Sequence, residues 1–276
     1  MAALALAACA SAPRLGFLDR AFGAWCGGSL YAPAARYNAA ATTNLIVSPF
    51  GRAETGWAAY APLAAATIRT RCAPDRPGFA AALARWQAAH GLTPHGALTA
   101  ETLQTFKGVW QEQRPFVMAR LKGVCPAPPD EAGLAVLPPD LSYGGKTVRL
   151  RPGAARALQR MVAAARRASP KIAGDPALLT AFSGYRSPAY DAARCAAERN
   201  CQGLVRAECS AHRTGLAVDL NVGAAAGFAV DASADPNRLA QTEGPAYRWL
   251  VRNAARYGFV PYAFEPWHWE WTGEGM

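Results

Sequence analysis

Two stretches near the C-terminal end combine residue types that together could hold a metal ion and activate water. In S-A-H-R-T-G-L-A-V-D-L, residues 210–220, His212 and Asp219 stand seven positions apart with Gly215 between them. In F-E-P-W-H-W-E-W, residues 264–271, Glu265 comes three positions before His268. The chain has only four histidines. The other two, His90 and His95, fall in an upstream helical hairpin, where a packing or surface role is expected.

The elements around these residues decide whether they can meet. Gly215 lets the chain turn tightly, and residues 216–220 read as a short strand. On it Ala217, Asp219 and Asn221 share one face, and Leu216, Val218 and Leu220 share the other. A carboxylate embedded in such a strand needs a partner, and a metal ion would be one. In the second stretch Pro266 cannot donate to a ladder and restricts the residue before it, so Glu265 belongs to a loop. His268 is then the first inward-facing strand residue, and the two side chains converge. Trp267, Trp269 and Trp271 alternate as a wall of aromatic surface. Two histidines and an aspartate form a three-ligand catalytic zinc site with the fourth position left to water, and Glu265 is a base outside the ligand set. Glu270 shares the face of His268, as a supporting group or as a surface acid.

The pattern S-x-H-x-x-G-x-A-x-D followed by E-x-W-H resembles the zinc D-alanyl-D-alanine carboxypeptidases and dipeptidases of the VanY/VanX type. Ser183-Gly184-Tyr185-Arg186-Ser187 is similar to a third motif of that family, in the expected order upstream. The resemblance spans about residues 145–272. It implies zinc ligation by His212, Asp219 and His268, a catalytic base at Glu265, and substrate binding and polarisation by Arg186. Ser183, Tyr185, Ser210 and Trp267 would line the substrate. It also implies an α+β fold, a small mixed antiparallel sheet with flanking helices, acting on peptidoglycan stem peptides. The reaction favoured is loss of a terminal D-alanine; rivals are a wall endopeptidase, an L,D-carboxypeptidase, or a non-catalytic wall-binding protein. Residues 195–209 form an insert between the arginine motif and the first ligand, carrying Glu198, Arg199 and Arg206. In the family this region borders the substrate cleft.

Upstream, Phe79, Leu83, Trp86 and His90 recur at helical spacing, with Gly91 as the stop. Thr99 serves as an N-cap for a second helix, with Glu101 in its first turn and Leu103, Phe106 and Trp110 on one face. This hairpin resembles the small peptidoglycan-binding domain found beside many wall hydrolases, through Trp86-Gln87, Gly91-Leu92, Gly96 and Thr102. The resemblance implies a glycan contact through residues 79–110. The expected organisation is a signal-like segment over 1–12 and a mostly helical domain over 13–125. A Pro-rich linker over 126–144 and the peptidase domain over 145–276 follow. Residues 154–168 read as an amphipathic helix burying Leu158, Met161, Val162 and Ala165.

The chain has 276 residues, 51% hydrophobic, with a formal charge of +10. Arginine carries most of that charge, and there is no dense basic run, so no nucleic-acid partner is expected. Leu6-Ala7-Ala8-Cys9 resembles a bacterial lipobox, with Ala10-Ser11-Ala12 a rival cleavage site; it lacks the usual positive n-region. A lipid on Cys9 is the one membrane contact expected, with residence in the periplasm or cell envelope. Setting Cys9 aside leaves six cysteines of seven for three disulfides. Two of Cys195, Cys201 and Cys209 are expected to pair locally, and the third to join Cys26, Cys72 or Cys125.

Overall fold

The computed structural model describes residues 26–199, 201 and 209–276. The lipobox-like Cys9, the site at 10–12 and Arg206 lie outside the described residues. Two hydrophobic cores organise the rest. The first gathers Trp57, Tyr60, Phe79, Leu83, Trp86, Leu98, Leu103, Phe106 and Trp110. It is built by α1 (Ala32–Asn44), the paired short strands β1 (Ile46–Val47) and β2 (Glu54–Thr55), α2 (Ala61–Thr67), α3 (Pro77–Ala89) and α4 (Ala100–Glu112); α5 (Pro115–Leu121) follows and buries no residue. Proline in the first turn starts α3 and α5, where its missing N–H costs nothing. Thr99 caps α4 by accepting from the Thr102 amide.

The hairpin of α3 and α4 is locked by one side chain. Gln87, fully buried, accepts from the Gly96 amide at 2.8 Å and donates to Ala97 O at 2.9 Å and Thr102 Oγ1 at 3.0 Å. Asn38 of α1 repeats the device, donating to Gly96 O and accepting from the Leu98 amide. The rings of His90, Trp86, Phe106 and Trp110 stack in series. Gln87, Gly96, Thr102 and Trp86, the residues behind the resemblance to a wall-binding hairpin, are thus the ones that fold it.

The second core holds Leu137, Leu150, Leu158, Met161, Val162, Val218, Leu220, Leu250, Phe259 and Trp269. Its sheet is antiparallel throughout, in the order β5 (Ala181–Ser183), β6 (Ala217–Leu220), β8 (His268–Trp271), β7 (Phe259–Pro261). A second ladder pairs β3 (Ala135–Val136) with β4 (Arg149–Leu150). The helices are α6 (Pro152–Ala168), α7 (Pro170–Ala173), α8 (Pro188–Ala197), α9 (Asp235–Glu243) and α10 (Pro245–Asn253). The expected amphipathic helix is α6, which buries Leu158, Met161, Val162 and Ala165. The fold is α+β with a small antiparallel sheet, as expected.

Two expectations need correcting. The Pro-rich stretch 126–144 is no free spacer, because Leu137 and Leu141 are buried in the second core and β3 pairs with β4. Pro139 starts the 3-10 turn Pro139–Leu141, which carries Leu141 inward. Nor do the three tryptophans form one surface wall. Trp269 and Trp271 turn toward the core, opposite His268 and Glu270, and Trp269 faces Val218 across the ladder. Trp267, lying before the strand begins, lines the cavity.

The disulfides are Cys195–Cys201, Cys125–Cys209 and Cys26–Cys72, one local pair among the three clustered cysteines and one long link, as expected. Gln87→Leu keeps the volume of the lock but strands the Gly96 amide and the Ala97 carbonyl. It should cost on the order of 3 kcal/mol in denaturant unfolding; an unchanged midpoint would mean the hairpin does not depend on this lock.

Candidate metal centre

Register brings the centre together. Asp219 of β6 is paired with His268 of β8 on one side and with Ser183 of β5 on the other. Directly opposed residues in an antiparallel ladder point to the same face, so Asp219 and His268 meet by construction. His212 arrives from the 3-10 turn Ala211–Thr214 that precedes β6. Gly215 ends that turn in the left-handed region, φ 70°, and swings the chain into the strand. His212 Nε2 lies 3.2 Å from Asp219 Oδ2, and His268 Nδ1 lies 3.0 Å from Asp219 Oδ1. One ligand atom from each of the three residues falls within 4.8 Å of the others, and all three side chains are buried.

The far nitrogen of each ring is spoken for. His212 Nδ1 lies 2.7 Å from Gly184 O, an acceptor only, so this nitrogen carries the hydrogen and Nε2 keeps its lone pair. Gly184 can present that carbonyl because a Cβ there would stand 2.5 Å from Arg149 O. His268 Nε2 lies 3.2 Å from Glu270 Oε1, which holds a hydrogen on Nε2 and turns Nδ1 toward Asp219. Glu270 is therefore a supporting group, not a surface acid. The donor set is two imidazole nitrogens and a carboxylate oxygen. A tetrahedral site with bonds of ~2.0–2.1 Å separates its donors by about 3.3 Å. The observed spacings are 3.2 and 3.0 Å, one to each oxygen of Asp219, and the donor set is of the kind zinc takes.

Burial and charge divide the titrating groups. Burial, helped by the Arg186 cation, holds His212 down to about 4 against the pull of Asp219. Burial also works against protonation of His268, but its bonds to Asp219 and Glu270 outweigh it and lift it to about 9. Burial alone would raise Asp219; the two histidines more than offset it and keep it well below the carboxylate range. Burial raises Glu265, with Asp219 adding to the effect and His268 opposing.

The centre opens into a cavity of about 790 Å³ lined by all the residues expected from sequence: Ser183, Tyr185, Arg186, Ser210, His212, Asp219, Glu265, Trp267 and His268. Glu265 sits in the loop before β8, where its amide donates to Tyr262 O and its carbonyl accepts from the His268 amide. Arg186 is braced on three sides, by Asp191 Oδ1 at 3.2 Å, Ser210 Oγ at 3.1 Å and Ser183 Oγ at 3.4 Å. Ser187 caps α8 and so places Asp191 one turn beyond the arginine. Tyr185 bonds Glu131 through its hydroxyl. The motif reading did not find Asp191, Glu131 or Arg114. Only Asp191 had a local signal, an acid in the first turn after a Ser-Pro cap.

Burial pushes Glu270 up, but Arg114 and then His268 outweigh it and bring the carboxyl from 4.5 to about 2. A group whose folded value lies below its unfolded one adds stability that is complete above the unfolded value and disappears as pH falls through the folded one. The window here runs from pH 4.5 down to about 2, and the drop corresponds to on the order of 3 kcal/mol. Glu270→Gln should therefore flatten the acid limb of the stability curve in this window. Denaturant unfolding in pH steps measures it, and equal slopes for the two proteins would contradict the assignment.

No curated protein matches the chain. Residues 147–274 match the model of the VanY family, described as D-alanyl-D-alanine carboxypeptidase. The match takes in β4, the four-stranded sheet and all three ligand candidates, and the C-terminal part of this chain is a VanY-type domain.

Proposed function

We propose that the protein is a zinc-dependent D-alanyl-D-alanine carboxypeptidase that trims peptidoglycan stem peptides in the cell envelope. The observation that carries this reading is the convergence of His212, Asp219 and His268 in a cavity also lined by Glu265 and Arg186. Zinc held by those three residues would supply Lewis acidity toward a peptide carbonyl and bring the pKa of water to ~7. Glu265, half-buried and with its pKa raised, is suited to take a proton from the attacking water and pass it to the leaving amine. Arg186, held by Asp191, Ser183 and Ser210, offers its guanidinium to a developing oxyanion or a substrate carboxylate.

Several features support a peptide of some length as substrate. The cavity of about 790 Å³ is larger than a dipeptide requires, and Trp267 and Tyr185 give it aromatic walls. Lys146, Arg149 and Arg194 line it together with Glu131 and Asp231, and Arg149 and Arg194 are paired with Glu131 and Glu198. Three disulfides suit an oxidising compartment outside the cytoplasm.

Glu265→Gln should abolish turnover while zinc content stays stoichiometric, whereas His268→Ala should lose the metal. Digesting defined stem peptides and weighing the products locates the cut. Release of free D-alanine is expected; cleavage confined to an internal bond would replace this reading with an endopeptidase. A Glu265→Gln protein with wild-type turnover would remove Glu265 from its role as base.

A further inference from the structure

We propose that Arg114, which comes from the helical part of the chain, is a positioning residue for the metal ligand His268 and acts through Glu270. The inference rests on the metal-site reading above. Arg114 lies at the N-cap of α5, upstream of the residues that match VanY. Its side chain nonetheless reaches the centre. Nε and Nη2 both donate to Glu270 Oε1, at 2.9 and 2.5 Å, and that same oxygen faces His268 Nε2 at 3.2 Å. Nη1 is held by Gln111 Oε1 at 2.9 Å, and the guanidinium lies over the Tyr262 ring, 4.2 Å from its centroid.

With Nε and both Nη atoms engaged, Arg114 serves the protein rather than the substrate, although it lines the cavity. Two donors from one planar fork fix the position of the Glu270 oxygen, as a lysine ammonium would not. That oxygen in turn holds the hydrogen of His268 on Nε2 and directs Nδ1 toward Asp219. Take Arg114 away and Glu270 becomes a second buried acid beside Asp219, with nothing to pin it under the imidazole.

The segment that carries His268 is embedded in the helical part elsewhere as well. Ala263 is buried in the first core, and the Phe50 ring meets Tyr262 edge-on at 5.4 Å and Phe264 at 5.7 Å. Arg238 donates to Phe264 O at 2.8 Å, while its own partners are Glu54 at 2.7 Å and the Tyr60 hydroxyl at 2.8 Å. Arg114 differs from these anchors in that its contact is relayed to a ligand atom.

The test is a double-mutant cycle read as zinc dissociation constants by chelator competition, using the full chain as wild type, Arg114→Met, Glu270→Gln and both. Each single change should weaken zinc ~10–100-fold. The double variant should bind no more weakly than the worse single, because both changes break one relay. Arg114→Met with wild-type affinity, or losses that multiply in the double variant, would overturn the proposal and leave Arg114 a staple between two parts of the fold. If Arg114→Met does not fold, Arg114→Lys takes its place in the cycle. It keeps a cation but loses the fork, so weaker zinc binding is again expected and wild-type affinity again overturns the idea. Failure of the wild type itself to bind zinc would defeat the metal-site reading, a result distinct from either of these.

Discussion

A carboxylate buried in the middle of a sheet is the constraint on which the rest of the structure depends. Asp219 is 6% exposed, and its strand is covered on both faces. Leaving an ionised acid there without partners would cost many kcal/mol. The fold meets that cost with two imidazoles, one supplied by the opposing strand and one by the turn just upstream. Those imidazoles need acceptors on their far sides, and the acceptors need holding in turn. Gly184 O is fixed because the Tyr185 amide of the same peptide donates to Arg149 O of β4, and Glu270 is fixed by Arg114. The chain of dependence runs outward from one charge.

That chain does not stop at the edge of the VanY-type domain. The loop of Tyr262 to Glu265 sits between the sheet and the first core, with its backbone tied by Arg238 and its Tyr262 ring edge-on to Phe50. Arg238 is 1% exposed and its Glu54 partner 6%. Removing one member of such a pair leaves an uncompensated buried charge, so the contact ties the two parts together more firmly than its net energy would suggest. The helical part is therefore a wall of the loop that carries Glu265.

Motif spacing reads well where the chemistry is local and poorly where it is relayed across the fold. Gly215 and the alternation of Leu216 to Leu220 were enough to place Asp219 on a polar face, and Pro266 was enough to put Glu265 in a loop. Those inferences need only strand periodicity and the geometry of proline. Arg114 was invisible because its partner is 156 residues away and nothing near Arg114-Pro115 hints at a ligand. The helical resemblance was legible for a different reason. Gln87, Gly96 and Thr102 lock the hairpin to one another, so the motif reports its fold. The tryptophan wall failed because period-2 alternation says which residues share a face and not which face is inward.

The disulfides follow from the same polar centre. A site built of serines, histidines, acids and arginines cannot be held at its rim by apolar packing, because the rim must stay open and wet. Ser210, which braces Arg186 and caps the turn carrying His212, is preceded directly by Cys209. Linking Cys209 to Cys125 closes a loop of 84 residues, and loops of that length lose roughly 4–5 kcal/mol of unfolded-state entropy when crosslinked. Cys195–Cys201 braces the C-terminal end of α8, whose first turn supplies Asp191 to Arg186. Covalent links thus stand where hydrophobic contacts would have had to fill the cavity. Arg186 is held in place from both ends without the cavity being closed.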